Sequence, residues 1–153
     1  MVTLLLKKSY RHRDLKEITF KDLWNSYGIF TTMRVIGKPA KILFFKDHIN
    51  NLIRSLKIYK INKKNIKKNI LKLIKLNISN KKKYDHLFRV ASNNKMISIS
   101  LRKSLKPKLN FTLKLVNYKR IDPEYKNLKY KKILSFLKKM DTTKSDIALY
   151  KDN

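Results

Sequence analysis

The chain has 153 residues, 42% of them hydrophobic, which is enough for one ordinary domain with a buried core and argues against a disordered polymer. It contains no cysteine, which excludes disulfide bonds and thiolate metal sites, and its apolar runs are too short to span a bilayer. With a formal net charge of +29, it is expected to be a soluble, cytosolic protein without a membrane partner.

The positive charge raises the hypothesis of a nucleic-acid partner. Of the 39 basic residues only seven are arginines, leaving 32 lysines, and asparagine and isoleucine are abundant as well. Lysine, asparagine and isoleucine have AT-rich codons, so a biased genome would produce this composition without any partner. Because contacts to phosphates and bases favour the bidentate fork of arginine, nucleic-acid binding is the less favoured interpretation.

The first part of the chain predicts short extended segments. Apolar patches at Val2–Leu6 and Ile18–Trp24 flank a basic stretch and indicate short strands or a turn. Ile29–Ile36 and Ala40–Phe45 predict two strands, joined at Gly37, which permits the positive φ of a tight turn.

Two amphipathic helices are predicted next. Asp47 is the expected N-cap of the first, and Asn62 of the second. Both helices have an apolar stripe at helical spacing and lysines on the opposite, solvated face. The stripes are Ile49, Leu52, Ile53 and Leu56 in the first helix, and Ile66, Ile70, Leu73 and Ile74 in the second.

The pattern then changes to a period of two. Strands are predicted at residues 87–90, 97–101 and 109–115, half-buried in a mostly antiparallel sheet, with a hairpin turn at Asn93-Asn94.

Asp122-Pro123 predicts a turn, Tyr130 to Met140 a third helix, and Ile147–Tyr150 a final strand. This combination indicates an α+β fold. We expect an N-terminal lobe at residues 1–118, with a mostly antiparallel sheet flanked by helices. Residues 119–153 would then begin a second lobe without completing it.

The stretch from Ser26 to Leu52 resembles the N-terminal signature of the class IV aminotransferase family. That signature is Asp-Gly-x-Phe-Glu-Thr-x-Arg, then Gly-Lys, then His-x-x-Arg-Leu. The chain departs from it at Tyr27, Thr31 and Asn51. Its matching residues are Gly28, Phe30, Thr32, Arg34, Gly37, Lys38, His48 and Leu52.

A second segment resembles the same family. Its members have a Schiff-base lysine in Lys-x-Leu-Asn-Tyr, before a helix and ahead of a strand that ends in Asp-x-Gly. Here Lys126-Asn127-Leu128-Lys129-Tyr130 precedes the predicted third helix, and the predicted strand that follows runs into Asp152. The order and separation of the two segments agree with the family.

The resemblance implies a pyridoxal-phosphate enzyme that acts on an amino-acid-like substrate, by transamination or by the related lyase chemistry on aminodeoxychorismate, as a homodimer. Lys126 would be the catalytic lysine. Asn51 replaces the arginine that anchors the cofactor phosphate, and Arg54, one helical turn on, is a candidate substitute. Tyr130 would hydrogen-bond the cofactor hydroxyl, and Phe30 and Arg89 would line the substrate pocket.

Simpler roles remain open for the same residues. Lys126 would be one more surface lysine and Arg54 a solvated charge, whereas Phe30 would belong to the core. Arg89 would be an edge-strand charge, and Tyr130 part of an apolar helix face. His48 beside Asp47 could form a catalytic pair, but at a helix N-terminus without a serine or cysteine motif it is expected to be structural. It has no metal-ligand spacing with the other two histidines.

Three expectations follow for function. First, the family's acid for the pyridine nitrogen and its phosphate-binding turns lie after the final strand, so we expect a truncated, inactive form that binds cofactor poorly. Second, the charge of +29 allows a non-catalytic basic module for RNA or an acidic partner, with salt-dependent binding. Third, Thr31 and Asn51 allow a family member with only a structural role.

Overall fold

The computed structural model describes residues 4–61 and 63–151. Six strands form an antiparallel sheet: β1 (Leu4–Arg11), β2 (Glu17–Ile18), β3 (Gly28–Gly37), β4 (Lys41–Ile42), β5 (Tyr84–Asn93) and β6 (Met96–Lys103). Their order across the sheet is β2-β1-β6-β5-β3-β4. A separate parallel pair contains β7 (Thr112–Asn117) and β8 (Ser145–Tyr150), and the helices are α1 (Phe45–Ile58), α2 (Ile66–Asn77) and α3 (Lys131–Leu137). The α+β prediction is confirmed.

One face of the large sheet forms the main core with α1 and α2. The predicted stripes face inward, and all of their residues are buried except Ile53, which is partly buried. They pack with Met33, Val35, Phe88 and Ile99 from the central strands. Burying these apolar side chains is what holds two lysine-rich helices against the sheet.

The opposite face of the sheet carries a smaller apolar cluster. Leu23, Phe30, Ala91, Met96 and Leu128 are buried there. Because side chains alternate along a strand, Phe30 belongs to this cluster, whereas its neighbour Ile29 belongs to the main core. The start of β3 therefore contributes to both faces.

The beginning of α1 differs from the prediction. The helix starts at Phe45, and its N-cap is Phe44, which has a left-handed backbone (φ 49°) and makes no side-chain cap bond. Asp47 lies in the first turn, so its assignment as N-cap was wrong, although a carboxylate there still favours the helix dipole. The strand predicted at residues 40–45 includes only Lys41–Ile42, because α1 already begins at Phe45.

The second helix has its N-cap at Asn65, and the predicted cap, Asn62, lies outside the described residues. Val2 of the first apolar patch and Asp152 of the last motif are also outside them. The turn at Gly37 is confirmed, with φ 77°, as is the hairpin turn at Asn93-Asn94, where the Asn93 side chain accepts bonds from two following amides.

Strand β6 is buried on both faces, so the prediction of a half-buried strand was wrong for it. Ser98 and Ser100 are as inaccessible as the isoleucines between which they alternate. Hydroxyl pairing makes this possible, since Ser9 Oγ and Ser98 Oγ are 2.7 Å apart.

Strand β7 does not join the antiparallel sheet, which corrects the prediction for residues 109–115. It begins at Thr112 and pairs in parallel with β8, and Leu113 and Leu115 are 65% and 75% exposed. The lobe boundary near residue 118 stays a prediction, and the strands on either side of it pair with each other. The third helix, α3, is shorter than predicted. Within residues 4–61 and 63–151, none of the helices is long and apolar enough to cross a bilayer.

Candidate functional site

The two segments that carry the family resemblance lie side by side, although about a hundred positions separate them in the sequence. The amide of Phe30 donates to the Lys126 carbonyl at 2.8 Å, and the amide of Leu128 donates to the Gly28 carbonyl at 2.9 Å. Ile29 and Asn127 form the antiparallel bridge between these bonds. Residues 126–128 therefore extend the sheet beside the start of β3, and the backbone of Lys126 is fixed there.

Gly28 makes this close approach possible. A Cβ atom at this position would collide with the Ser92 carbonyl oxygen and lie 2.7 Å from Leu128 Cδ1, with Asn93 Cβ at 3.1 Å. Leu128 is fully buried against this backbone, and its carbonyl accepts a 2.8 Å bond from the Asn25 amide. Only a residue without a side chain allows both β5 and the Leu128 side chain to pack here.

The loop at residues 120–130, here called the lysine loop, is held by its own polar side chains. Arg120 donates to the carbonyls of Pro123 and Tyr125 and, at 3.3 Å, to the hydroxyl of Tyr130. Asn127 is buried and donates to the Ile121 carbonyl at 2.7 Å. The side chain of Lys126 is exposed, so its amine is accessible on a loop whose backbone is well restrained.

A threonine and a histidine pair near this lysine. Thr31, buried in β3, has its Oγ1 atom 3.1 Å from Nδ1 of His48 in the first turn of α1. Burial lowers the pKa of His48, and the charge of Lys126 lowers it further, against a smaller opposing effect of Asp47. Both effects favour the neutral form of the imidazole, and the second places His48 within electrostatic reach of Lys126.

An aromatic group lies on the face of the sheet opposite α1. Trp24, Phe30 and Tyr130 contact one another, with ring centroids 4.9 to 5.7 Å apart. Two of the predicted site residues, Phe30 and Tyr130, are thus brought together, with centroids 5.4 Å apart. Such edge-to-face and stacked contacts make a rigid apolar wall beside the lysine loop.

Arg89 reaches the aromatic group through Trp24, with its guanidinium carbon 4.3 Å from the centroid of the indole ring. The guanidinium also forms an ion pair with the Asp22 carboxylate and donates to the Asp22 carbonyl at 3.0 Å. Burial lowers the pKa of Arg89, and Asp22 opposes that effect. These contacts fix the segment before β3. A substrate-binding role for Arg89 stays a prediction, and it would use a guanidinium that already has partners.

Asn51 and Arg54 are the two predicted phosphate ligands. Both are exposed on α1, and the carbonyl of Asn51 accepts a 2.8 Å bond from Ser55 Oγ. Within the described residues, no hydrogen bond or ion pair joins either side chain to the lysine loop. Their role also stays a prediction.

The stretch that follows the first turn of α1 and runs to the start of β5 has basic residues with no acidic residue among them. No acidic residue occurs between Asp47 and Asp85, and α2 has none in its first turn. The RNA or acidic-partner hypothesis stays a prediction based on this charge. In the part of the chain that the structure describes, no group of three or more histidine, aspartate or glutamate side chains is arranged to hold a metal ion.

Several residues of this site were missed or undervalued in the sequence. In the sequence, Thr31 is only a departure from the family motif, and nothing there predicts its pairing with His48. Asp22 and Trp24 lie in an apolar patch, which does not indicate their contacts with Arg89. The sequence offers one signal: Trp24 is the only tryptophan of the chain, and it lies shortly before Gly28.

The two histidines with lowered pKa make stability depend on pH. Burial is the main cause for both His12 and His48. Below the ordinary pKa of about 6.5, these histidines bind protons more readily in the unfolded chain than in the folded chain. We therefore expect the free energy of unfolding to fall as pH decreases from about 7 to 5. Urea titrations across this range would measure it. The double variant His12→Gln/His48→Gln should flatten the dependence, and an unchanged slope would contradict this assignment.

Together, the fold and this site define an α+β domain with an exposed lysine, Lys126, whose backbone is paired with β3, a threonine–histidine pair on the α1 side and an aromatic wall on the opposite face of the sheet. The family model for amino-transferase class IV matches residues 28–153, which includes both paired segments. The chain belongs to this family. Its members are generally dependent on pyridoxal phosphate, act on amino-acid substrates and form dimers. A search of curated proteins returned no match.

Proposed function

We propose that this chain carries the lysine site of a pyridoxal-phosphate enzyme that transaminates an amino acid or performs the related lyase chemistry on aminodeoxychorismate, as a homodimer like others of its family. The observation that supports this proposal best is the pairing of Gly28–Phe30 with Lys126–Leu128. Two motifs that are weak when taken singly lie in direct contact, and the contact involves the proposed catalytic residue.

The chemistry of the residues fits such a cofactor. An aldehyde requires a primary amine that solvent can reach, and the side chain of Lys126 is exposed while its carbonyl is bonded to β3. A phosphate requires donors, and Asn51 and Arg54 offer an amide and a guanidinium on the exposed face of α1. The cofactor, when bound, supplies an electron sink for the substrate carbon.

The remaining work falls to the side chains of this chain. The Lys126 Nζ atom would take the α-proton of the substrate and return it, because this exposed amine belongs to the residue whose carbonyl is bonded to β3. His48, kept neutral by burial and by the charge of Lys126, adds no positive charge beside that amine. The aromatic wall with Phe30 and Tyr130 would orient the substrate and exclude water, and the Tyr130 hydroxyl would hydrogen-bond the cofactor.

The proposal is tested by asking which lysine reacts with pyridoxal phosphate. The chain is incubated with the cofactor and reduced with borohydride, and the modified lysines are identified by mass spectrometry. We expect Lys126 to be labelled about tenfold more than other exposed lysines, which corresponds to about 1.4 kcal/mol of site-specific binding. Lys126→Ala should abolish this selective label.

Lys129→Ala is the matched control, since Lys129 is an exposed lysine on the same loop. It should leave the label at Lys126 unchanged. If labelling instead follows exposure alone, so that Lys126 is modified no more than Lys129, the proposed site is wrong.

A further inference from the structure

The buried side of the lysine loop contacts the end of α1 through one tyrosine. Tyr59 is the C-cap of α1 and is only 7% exposed. Its hydroxyl donates a 2.6 Å hydrogen bond to Oδ2 of Asp122, near the start of the lysine loop. The bond joins two elements that are 63 positions apart in the sequence.

The Tyr59 ring also touches the residues that immediately precede both paired segments. Its centroid is 5.1 Å from that of Tyr27, which precedes Gly28, and 5.8 Å from that of Tyr125, which precedes Lys126. One side chain therefore contacts both segments where they enter the pairing. The aromatic contacts bury apolar surface between the rings. The hydroxyl adds a directional hydrogen bond to a charged acceptor, and such bonds are among the stronger ones in proteins.

The hydroxyl keeps its proton throughout the physiological range. Burial, together with the bond to Asp122, raises the pKa of Tyr59 to about 12. The tyrosine is thus a permanent donor to Asp122. The same helix reaches the lysine electrostatically at its other end, through His48 in its first turn.

We propose that Tyr59 is a positioning residue for Lys126, and that its hydrogen bond to Asp122 holds the lysine loop against the end of α1. The bonds of Arg120 lie within the loop itself, and the Asn127 side chain, which donates to the Ile121 carbonyl, also interacts with the Tyr59 hydroxyl, so the polar contacts between loop and helix meet at Tyr59. Loss of the bond would leave the loop internally ordered but poorly docked. The importance of this docking for catalysis rests on the proposed function, whereas the docking itself does not.

The test removes only the hydroxyl, with Tyr59→Phe in the full chain. Loop docking is read from hydrogen exchange of the Phe30 and Leu128 amides, which donate to Lys126 and Gly28. We expect their exchange to accelerate about tenfold, the effect of losing one hydrogen bond to a charged group, with amides of the β5–β6 pair unchanged. The selective borohydride label at Lys126 should fall by a similar factor.

Two controls separate positioning from general damage. Asp122→Asn keeps an oxygen acceptor for Tyr59 and should retain most of the label and protection. Tyr27→Phe removes the hydroxyl of a tyrosine that contacts the Tyr59 ring but is 53% exposed, and it should behave like the unmodified chain. If Tyr59→Phe does not fold, Asp122→Gly removes the acceptor at a position whose left-handed backbone (φ 43°) glycine accepts.

Unchanged exchange of both amides in Tyr59→Phe would overturn the proposal. So would an equal acceleration in Tyr27→Phe, because loss of an exposed hydroxyl would then have the same effect as loss of the bond to Asp122. If the unmodified chain shows no preference for Lys126 but Tyr59→Phe still accelerates exchange, the docking role stands and the proposed function fails.

Discussion

Replacing Gly28 with alanine should destabilise the chain strongly and undock the lysine loop. The new Cβ would overlap the Ser92 carbonyl oxygen, which belongs to the backbone of the central strand β5 and cannot move without breaking strand pairing. It would also press on Leu128 Cδ1 at 2.7 Å. Overpacking costs about 1–3 kcal/mol, and a clash with backbone falls at the upper end. We expect a loss of about 3 kcal/mol and a melting temperature lower by about 6–12 °C.

Gly37→Ala is the matched control, because Gly37 also has a special role but an open environment. It has φ 77°, and the nearest atom to an added Cβ is the Pro39 carbonyl oxygen at 3.4 Å. Its cost is therefore backbone strain of about 1–2 kcal/mol without a collision. Thermal unfolding measures both variants, and hydrogen exchange of the Leu128 amide should accelerate only in Gly28→Ala. A Gly28→Ala variant as stable as Gly37→Ala would show that β5 and Leu128 can move aside.

Replacing Phe88 with alanine should produce the largest loss of stability. Phe88 is fully buried near the middle of β5, where it lies opposite Met33 on one neighbouring strand and Leu101 on the other. It belongs to the core that holds α1 and α2. Truncating such a side chain removes transfer free energy and leaves a cavity, and typically costs about 3–5 kcal/mol. This is a large fraction of the roughly 5–15 kcal/mol that stabilises most domains.

Urea denaturation tests this expectation: the urea concentration at the unfolding midpoint should fall, while the m-value stays constant. Phe111→Ala is the control, since Phe111 precedes β7 and is 38% exposed, and it should cost less than about 1 kcal/mol. A loss of under 1 kcal/mol in Phe88→Ala would mean that the two helices repack onto the sheet. Because α1 carries both His48 and Tyr59, the variant should also weaken the selective label at Lys126.

The sequence predicted the helical layer well because its signal is local. The stripes of α1 and α2 recur at helical spacing, and nearly every residue assigned to them is buried. The turn at Gly37 was equally local, since a glycine between two apolar runs has few alternatives.

The errors arose where a distant partner decides the structure. β7 has the same alternation of apolar residues as a half-buried strand, yet it pairs in parallel with β8 and leaves Leu113 and Leu115 exposed. Ser98 and Ser100 in β6 look like solvent-facing positions, but Ser9 on β1 supplies the partner that allows Ser98 to be buried. Periodicity shows which residues share a face, whereas the covering of that face depends on the rest of the chain.

The candidate site was predicted only through resemblance. Lys126 is one of 32 lysines, and neither the composition of the chain nor the pattern of neighbouring residues distinguishes it from the others. Its distinction comes from the pairing of its segment with β3, in which the Phe30 amide donates to the Lys126 carbonyl and the Leu128 amide to the Gly28 carbonyl, and spacing alone does not reveal this pairing. The pairing of Thr31 with His48 was hidden in the same way, because it joins a strand to a helix through side chains.

The same long-range pairing has a consequence for the order in which the protein acquires its structure during synthesis. The β5–β6 hairpin closes over a two-residue turn, so we expect it to form early. We expect β1 to pair later, because the first β6 residue with which it pairs, Met96, is 85 positions beyond Arg11. Lys126 acquires its place against Phe30 only when most of the chain has left the ribosome. Non-local contacts of this kind require loop closure, and its entropic cost comes before any stabilisation by the contacts. They therefore tend to form late and slowly. We therefore expect Lys126 to become ordered late in folding, after the hairpin against which its segment packs.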